Sequence, residues 1–188
     1  MLGTHVIATV NQKVLSLLAR YSDKEFYERE IARQLRIAYG SANRSLNKLY
    51  STGAIKRRRA GKMYFYSIDA SNAAITEYKK LVNIMLIEPL VEELKKTANR
   101  VILYGSCAQG TDTSRSDLDI FIVSNNKEAV ADLISAFKLP KGYEELRIQP
   151  VIKTPIELLE ARESERAFLE EVESGLVLWE RTAIESRV

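Results

Sequence analysis

Two polar clusters set between apolar runs constrain this chain more than any other feature. Val101-Ile102-Leu103-Tyr104 leads into Gly105-Ser106-Cys107-Ala108-Gln109-Gly110, and Asp117-Leu118-Asp119 leads into Ile120-Phe121-Ile122-Val123. Short apolar runs bounded by glycine and polar residues read as buried strands. The spacing is Gly-Ser-x3-Gly-x6-Asp-x-Asp. Residues two apart on a strand project from one face, so both carboxylates share a side while Leu118, Ile120 and Ile122 turn into the core. Adjacent anions repel. A divalent cation between them removes that repulsion, and Mg²⁺ takes one or two carboxylates together with phosphate oxygens. Gly105 permits a sharp turn and close backbone approach. Ser106 adds a hydroxyl and an amide.

This pattern resembles the DNA polymerase beta-like nucleotidyltransferase superfamily, in particular its minimal members. The resemblance is detailed over residues 100–123, and Val-Glu-Ser-Gly-Leu-Val-Leu-Trp-Glu at 172–180 is similar to the same group. It implies that Gly105 and Ser106 hold the β/γ-phosphates of a nucleoside triphosphate. It implies that Asp117 and Asp119 hold Mg²⁺ and form the catalytic pair. The family places a third carboxylate on a later strand, as metal ligand and as base toward an acceptor hydroxyl. The matching strand here is 145–152, with Gln149 at that position. A glutamine carbonyl can ligate a metal but carries no charge and is no useful base. Glu145 shares the face by alternation yet lies about 13 Å away at ~3.3 Å per residue. Pro150 marks the strand as an edge or a bulge. Cys107 has no histidine near it in sequence and reads as a packed small residue rather than a nucleophile.

The 188 residues carry a formal charge of only +3, which hides an asymmetry. Residues 1–80 hold 15 Lys/Arg against 6 Asp/Glu, a net of +9, and residues 81–188 a net of −6. Two modules are expected, the first facing a polyanion. One cysteine excludes an internal disulfide framework and a cysteine-rich zinc site. One histidine, His5, argues against a histidine metal site or triad, and is read as surface. No apolar run approaches the ~20 residues of a membrane span. Residues 1–10 lack the basic start of a signal peptide, so the expected location is cytoplasmic.

In the basic module, Val14, Leu15, Leu17 and Leu18 predict a helix over 11–21 capped by Asn11. A strand at 25–27, a helix at 30–35, a turn at 36–40 and a helix at 41–51 follow. Gly53 then ends the helix as a C′ glycine. Strands at 55–59 and 63–68 form a hairpin across 60–62. The third helix buries Ala42, Leu46 and Leu49. Residues 25–68 resemble winged-helix transcriptional regulators, carried by Glu-Ile-Ala-Arg-Gln-Leu, by Ser-Leu-Asn-Lys-Leu-Tyr-Ser-Thr-Gly-Ala-Ile-Lys-Arg and by the aromatic returning strand. The implied partner is double-stranded DNA. Ser41, Arg44, Ser45 and Lys48, flanked by Asn43 and Asn47, form a narrow polar face suited to the major groove. Arg44 suits guanine, and Asn43 or Asn47 suits adenine. Lys56, Arg57, Arg58, Arg59 and Lys62 on the wing can track phosphates. About four to six phosphate contacts give a log–log salt slope near −4 to −5. Tyr64, Phe65 and Tyr66 read as hairpin packing, with at least one facing the core.

Between the modules, Ala74, Ile75, Tyr78, Leu81, Val82, Met85, Leu86, Leu90 and Leu94 predict a connector helix capped by Asp69 or Ser71. Pro89 is expected to kink or divide it. Its apolar face packs on the second module or forms the seam of a homodimer, which would match paired half-sites. Further on, helices are expected at 128–137, after Thr154-Pro155 with Glu157, and at 164–173. Glu163, Glu165, Glu170, Glu171 and Glu173 there read as a solvated face. Residues 175–179 read as a strand.

The expected class is α+β: a winged helix-turn-helix over 1–70, a helical connector over 71–98, and a nucleotidyltransferase-like mixed sheet with flanking helices over 99–188. The expected function is a DNA-binding transcriptional regulator with an NTP- and Mg²⁺-binding domain. The alternative is an active nucleotidyltransferase moving NMP onto a protein or small-molecule hydroxyl, as the antitoxin of a toxin–antitoxin pair.

Overall fold

The structure is a computed structural model that describes residues 9–140, 142–160 and 162–181, so His5 lies outside the described residues. The chain divides into two units. One holds the residues up to Val82 together with Gly110–Arg115, and the other holds Asn83–Gln109 with the residues from Ser116 onward.

In the first unit, helix α1 (Val10–Arg20) starts one residue earlier than its apolar spacing suggests. Its cap is Thr9, not Asn11. The Thr9 hydroxyl accepts the Gln12 N–H, and the Gln12 side chain accepts the Thr9 N–H. This reciprocal box satisfies two helix-end donors, which a single Asn11 cap cannot do. Strand β1 (Phe26–Tyr27) leads into α2 (Glu28–Leu35), whose Glu28 and Glu30 suit the positive end of the helix. Arg36, at φ 51°, closes α2 in the left-handed region. Helix α3 (Tyr39–Ser51) absorbs Gly40, so the turn is shorter than expected. Gly53, at φ 74°, ends α3 as foreseen. Strands β2 (Lys56–Ala60) and β3 (Met63–Ser67) meet across Gly61-Lys62.

The sheet order is β1-β3-β2, antiparallel throughout, with Phe26 opposite Tyr66 and Arg57 opposite Tyr66. Val14, Leu18, Phe26, Ile31, Leu46, Ile55, Tyr66 and Ile68 make the core. Tyr66 is the aromatic of the returning strand that faces inward. This is a winged helix-turn-helix.

Helix α4 (Ala73–Leu94) is continuous, and Pro89 lies inside it without dividing it. Ile87, Leu90, Val91 and Leu94 are buried on both sides of Pro89, which is itself exposed. Their burial outweighs the one N–H that proline removes. The cap is Asn72, whose side chain accepts the Ala74 N–H. Ser71 instead bonds Asp69, which leaves neither of them to cap. Leu81 and Ala74 are exposed rather than on the buried stripe.

The segment Gly110–Arg115 belongs to this unit. A methyl on Gly110 would sit 2.3 Å from the Thr76 carbonyl oxygen. Asp112 is 2% exposed, with its carboxylate 3.8 Å from Arg20 Nη1 and 3.6 Å from Lys79 Nζ. Lys79 also donates to the Asp112 carbonyl.

In the second unit, β4 (Arg100–Tyr104), α5 (Gly105–Gln109), β5 (Leu118–Val123), α6 (Lys127–Ala136) and β6 (Ile148–Lys153) are followed by α7 (Pro155–Leu159), a 3₁₀ turn (Glu163–Glu165), α8 (Arg166–Glu173) and β7 (Leu176–Glu180). The sheet order is β6-β5-β4-β7, with β5–β6 parallel and the other pairs antiparallel. Leu118, Ile120 and Ile122 are buried as expected. The opposite face of β5 is buried too, where Phe121 and Val123 join Ile102, Tyr104, Val172 and Phe168 in a second cluster. Strand β6 begins at Ile148, so Glu145 stands in the preceding loop and not on the strand.

Thr154 and Glu157 form the expected capping box at α7. Lys127 lies 2.6 Å from the Glu157 carboxylate and, with the Thr154 N–H, holds its pKa down to about 2 from the ordinary 4.5. A lowered carboxylate pKa contributes stability that is full above the unfolded value and is lost as pH falls through the folded one. The gap in melting temperature between wild type and Glu157→Gln is therefore expected to hold above about pH 4.5 and to close toward about pH 2. A gap that does not change over that range would show the pair contributes nothing.

Candidate functional site

Strand β4 delivers the chain to Gly105 at φ 66°, which opens the five-residue helix α5. A methyl on Gly105 would sit 2.7 Å from Asp119 Oδ2, so the glycine leaves room for that carboxylate. Tyr104 pairs with Asp119 in the β4–β5 register. Asp119 is half-buried, and its carboxyl is pushed above the usual range by burial first, then by Asp117, then by Glu171. Asp117 stands just ahead of β5 and is held from two sides. Cys107 Sγ donates to its backbone oxygen at 3.1 Å, and Gln149 Nε2 donates to its Oδ2 at 3.5 Å. Cys107 is fully buried, the packed residue that its sequence suggests, and Asn83 Nδ2 bonds its carbonyl at 3.1 Å. Ser106 is half-buried beside Gly105.

Gln149 lies directly opposite Asp119 in the parallel β5–β6 register. The side chain that β6 brings opposite Asp119 is thus an amide and not a carboxylate. Glu171 is the acid that sequence reasoning passed over. It follows Phe168 by one helical turn, and Phe168 packs edge-on against Tyr104 with centroids 5.7 Å apart. Its charge therefore reaches Asp119 from α8. Nothing in a run of five glutamates singles it out until α8 is laid on the sheet.

No group of three or more His, Cys, Asp or Glu is gathered to hold a metal among the described residues. What is gathered is a pair of neighbouring carboxylates, of which Asp119 is raised by burial and by the charge of Asp117. That set suits a hard cation whose remaining ligands come from substrate phosphates.

On α3, Arg44, Asn47 and Lys48 are exposed, while Ser41 and Asn43 are half-buried. Ser45 departs from the expected outward face and is only 3% exposed. Ala42, Ser45, Leu46 and Leu49 follow the i, i+3, i+4, i+7 spacing of the buried stripe, and the small hydroxyl fits there. On the wing, Lys56 lies 2.9 Å from Asp69, and Arg58 is paired with Glu25. Serine 71 and Lys56 hold Asp69 down to about 2, and Arg58 lowers Glu25. The hairpin contains no acid, but the fold brings two to it. Arg57 is half-buried over the rings of Tyr50 and Tyr64, at 4.0 and 4.6 Å. Arg59 donates to the Gly61 carbonyl, and Lys62 is exposed.

Among solved structures, Lactococcus lactis ZitR, in complex with DNA, is 17% identical, with 45% of this chain and 60% of that chain covered and a TM-score of 0.37. BldR, a transcriptional regulator from Sulfolobus solfataricus, is 21% identical over 50% of this chain and 78% of that one, with a TM-score of 0.34. A provisionally assigned nucleotidyltransferase from Sulfolobus solfataricus is 20% identical over 56% and 87%, with a TM-score of 0.37. No curated protein matches significantly. No helix among the described residues is long and apolar enough to cross a membrane. The family described as "Polymerase beta, Nucleotidyltransferase" matches residues 87–183, just over half of the chain. With Gly105, Asp117 and Asp119 assembled inside that span, the chain belongs to the polymerase beta nucleotidyltransferase family.

Proposed function

We propose that this protein is a DNA-binding transcriptional regulator whose nucleotidyltransferase domain binds a nucleoside triphosphate with Mg²⁺. The observation that carries the choice of binding over transfer is Gln149, in register opposite Asp119. An amide there donates to Asp117 and cannot take a proton from an acceptor hydroxyl. Gly105 and Ser106 are the residues for the β/γ-phosphates, and Asp117 and Asp119 are those for the metal. Mg²⁺ supplies charge neutralisation of the phosphates when bound. Gly105 keeps the space beside Asp119 open. Cys107 and Gln149 hold Asp117 in place.

Arg44 and Lys48 on α3, with Arg59 and Lys62 on the wing, are the cations proposed to meet DNA. Lys56, Arg57 and Arg58 are more heavily engaged with their own unit. Four phosphate contacts give a log–log salt slope of about −4. The Arg59→Ala/Lys62→Ala variant is expected to reduce that slope by about 2 in a fluorescence-anisotropy titration of duplex DNA. Wild-type affinity in this variant would remove the wing from the interface.

A second reading has one observation in its favour, the Glu171 carboxylate acting on Asp119. In it the domain transfers NMP to a hydroxyl on a small molecule or on a protein such as a toxin partner. Incubation with α-labelled ATP and Mg²⁺ separates the two. Label transfer that disappears in Asp117→Ala would establish transfer and end the binding-only reading.

A further inference from the structure

Arg57 stands on the wing among cations suited to phosphate, yet its guanidinium is engaged inside the unit. It is stacked 4.0 Å from the Tyr50 ring and 4.6 Å from the Tyr64 ring. It stands directly opposite Tyr66 in the β2–β3 register. Its Nη1 donates to Asn47 Oδ1 at 3.4 Å, and Asn47 Nδ2 donates in turn to Asn43 Oδ1 at 3.0 Å. Tyr50 and Tyr64 come from different elements, α3 and β3, and both are 41% exposed. Two aromatic faces on one cation contribute attraction that a lone surface arginine lacks.

The direction of this hydrogen-bond chain follows from elementary chemistry. A guanidinium has donors and no acceptor. Asn47 must therefore turn its carbonyl oxygen toward Arg57, which leaves its NH₂ for Asn43. Asn43 must then turn its oxygen toward Asn47. Asn43 is left with its NH₂ fully free, while its oxygen already accepts from Asn47 and keeps one lone pair. Adenine in the major groove asks an amide to accept from N6 and donate to N7, whereas guanine presents two acceptors, N7 and O6.

We propose that Arg57, clamped by Tyr50 and Tyr64, is a positioning residue that sets the polarity of the Asn47–Asn43 amide pair, so that Asn43 selects guanine rather than adenine in double-stranded DNA. The proposal rests on the DNA-binding reading and assigns the wing a part in sequence choice as well as in affinity. It differs from the adenine contact that the asparagine alone suggests. It also differs from a phosphate contact at Arg57, which would change affinity for all sequences alike.

The test is selection from a random-sequence duplex DNA pool by the full chain, followed by sequencing of the bound fraction. Wild type is expected to enrich a motif with guanine at the one position whose preference vanishes in Asn43→Ala. Arg57→Gln can accept as well as donate, and is expected to lower that guanine preference about tenfold. Arg57→Lys has donors only and is expected to keep guanine at reduced affinity. Thermal melts of both variants establish that they are folded, and Arg57→Lys retains the charge if the glutamine variant fails. An enriched motif that is unchanged in Arg57→Gln, or adenine at the Asn43 position in wild type, overturns the relay alone. Absence of any enriched motif in wild type overturns the DNA-reading proposal and the relay with it.

Discussion

Asp112→Ala is expected to destabilise the protein by about 3–5 kcal/mol, the range for breaking a buried ion pair from one side. The Asp112 side chain is 2% exposed and lies between Arg20, 10% exposed, and Lys79, 5% exposed. Removing the carboxylate takes the anion from two cations that water barely reaches. A buried pair often gains little over an apolar replacement, because its desolvation offsets its attraction. One-sided removal has no such compensation. The triple variant Arg20→Met/Lys79→Met/Asp112→Leu is therefore expected to recover most of the loss, which distinguishes a charge effect from lost packing. Urea unfolding followed by circular dichroism reads both. A loss under about 1 kcal/mol in Asp112→Ala would place the carboxylate in the class of surface pairs.

Gly105→Ala is expected to weaken nucleotide binding by on the order of 10–100-fold, the range seen when the support of a metal ligand is disturbed. The backbone at φ 66° costs an alanine about 1–2 kcal/mol by itself. The larger effect is local, because the new methyl would sit 2.7 Å from Asp119 Oδ2 and push that carboxylate away. Gly53→Ala is the matched control. It has φ 74° and nothing within 4 Å of the added carbon. Both variants are expected to lose similar stability, and only Gly105→Ala is expected to lose nucleotide binding. Calorimetric titration with ATP and Mg²⁺ measures this, and equal affinities in the two variants would remove Asp119 from the site.

Much of the candidate nucleotide site was legible because its parts are close in sequence. Gly105, Ser106, Asp117 and Asp119 fall within fifteen residues, and the alternation of β5 sets which side chains share a face. Gln149 could be aligned through the same alternation, and the strand register places it opposite Asp119. Ser45 was misread because a helix boundary between buried and exposed arcs is only one residue wide. Thr9 and Asn11 are both good capping residues, and only the Gln12 partner decides between them. Glu25, Asp69 and Glu171 act on groups far away in sequence, so no local pattern marks them. The same holds for Arg57, whose clamp draws Tyr50 from a helix and Tyr64 from the neighbouring strand.

Strand β2 lies at the edge of the three-stranded sheet and, among the described residues, is paired on one side only, by β3. Its sequence is Lys-Arg-Arg-Arg-Ala. An open edge invites a strand from another molecule, and a row of cations repels that strand by charge and hydration. The wing's basic residues thus guard the protein against self-association, in addition to any part in recognition. Neutralising them to weaken DNA binding would also uncover an adhesive edge. Charge-stripped wings are therefore expected to form soluble aggregates, which light scattering would detect, and charge reversal to glutamate is the substitution that keeps the edge closed.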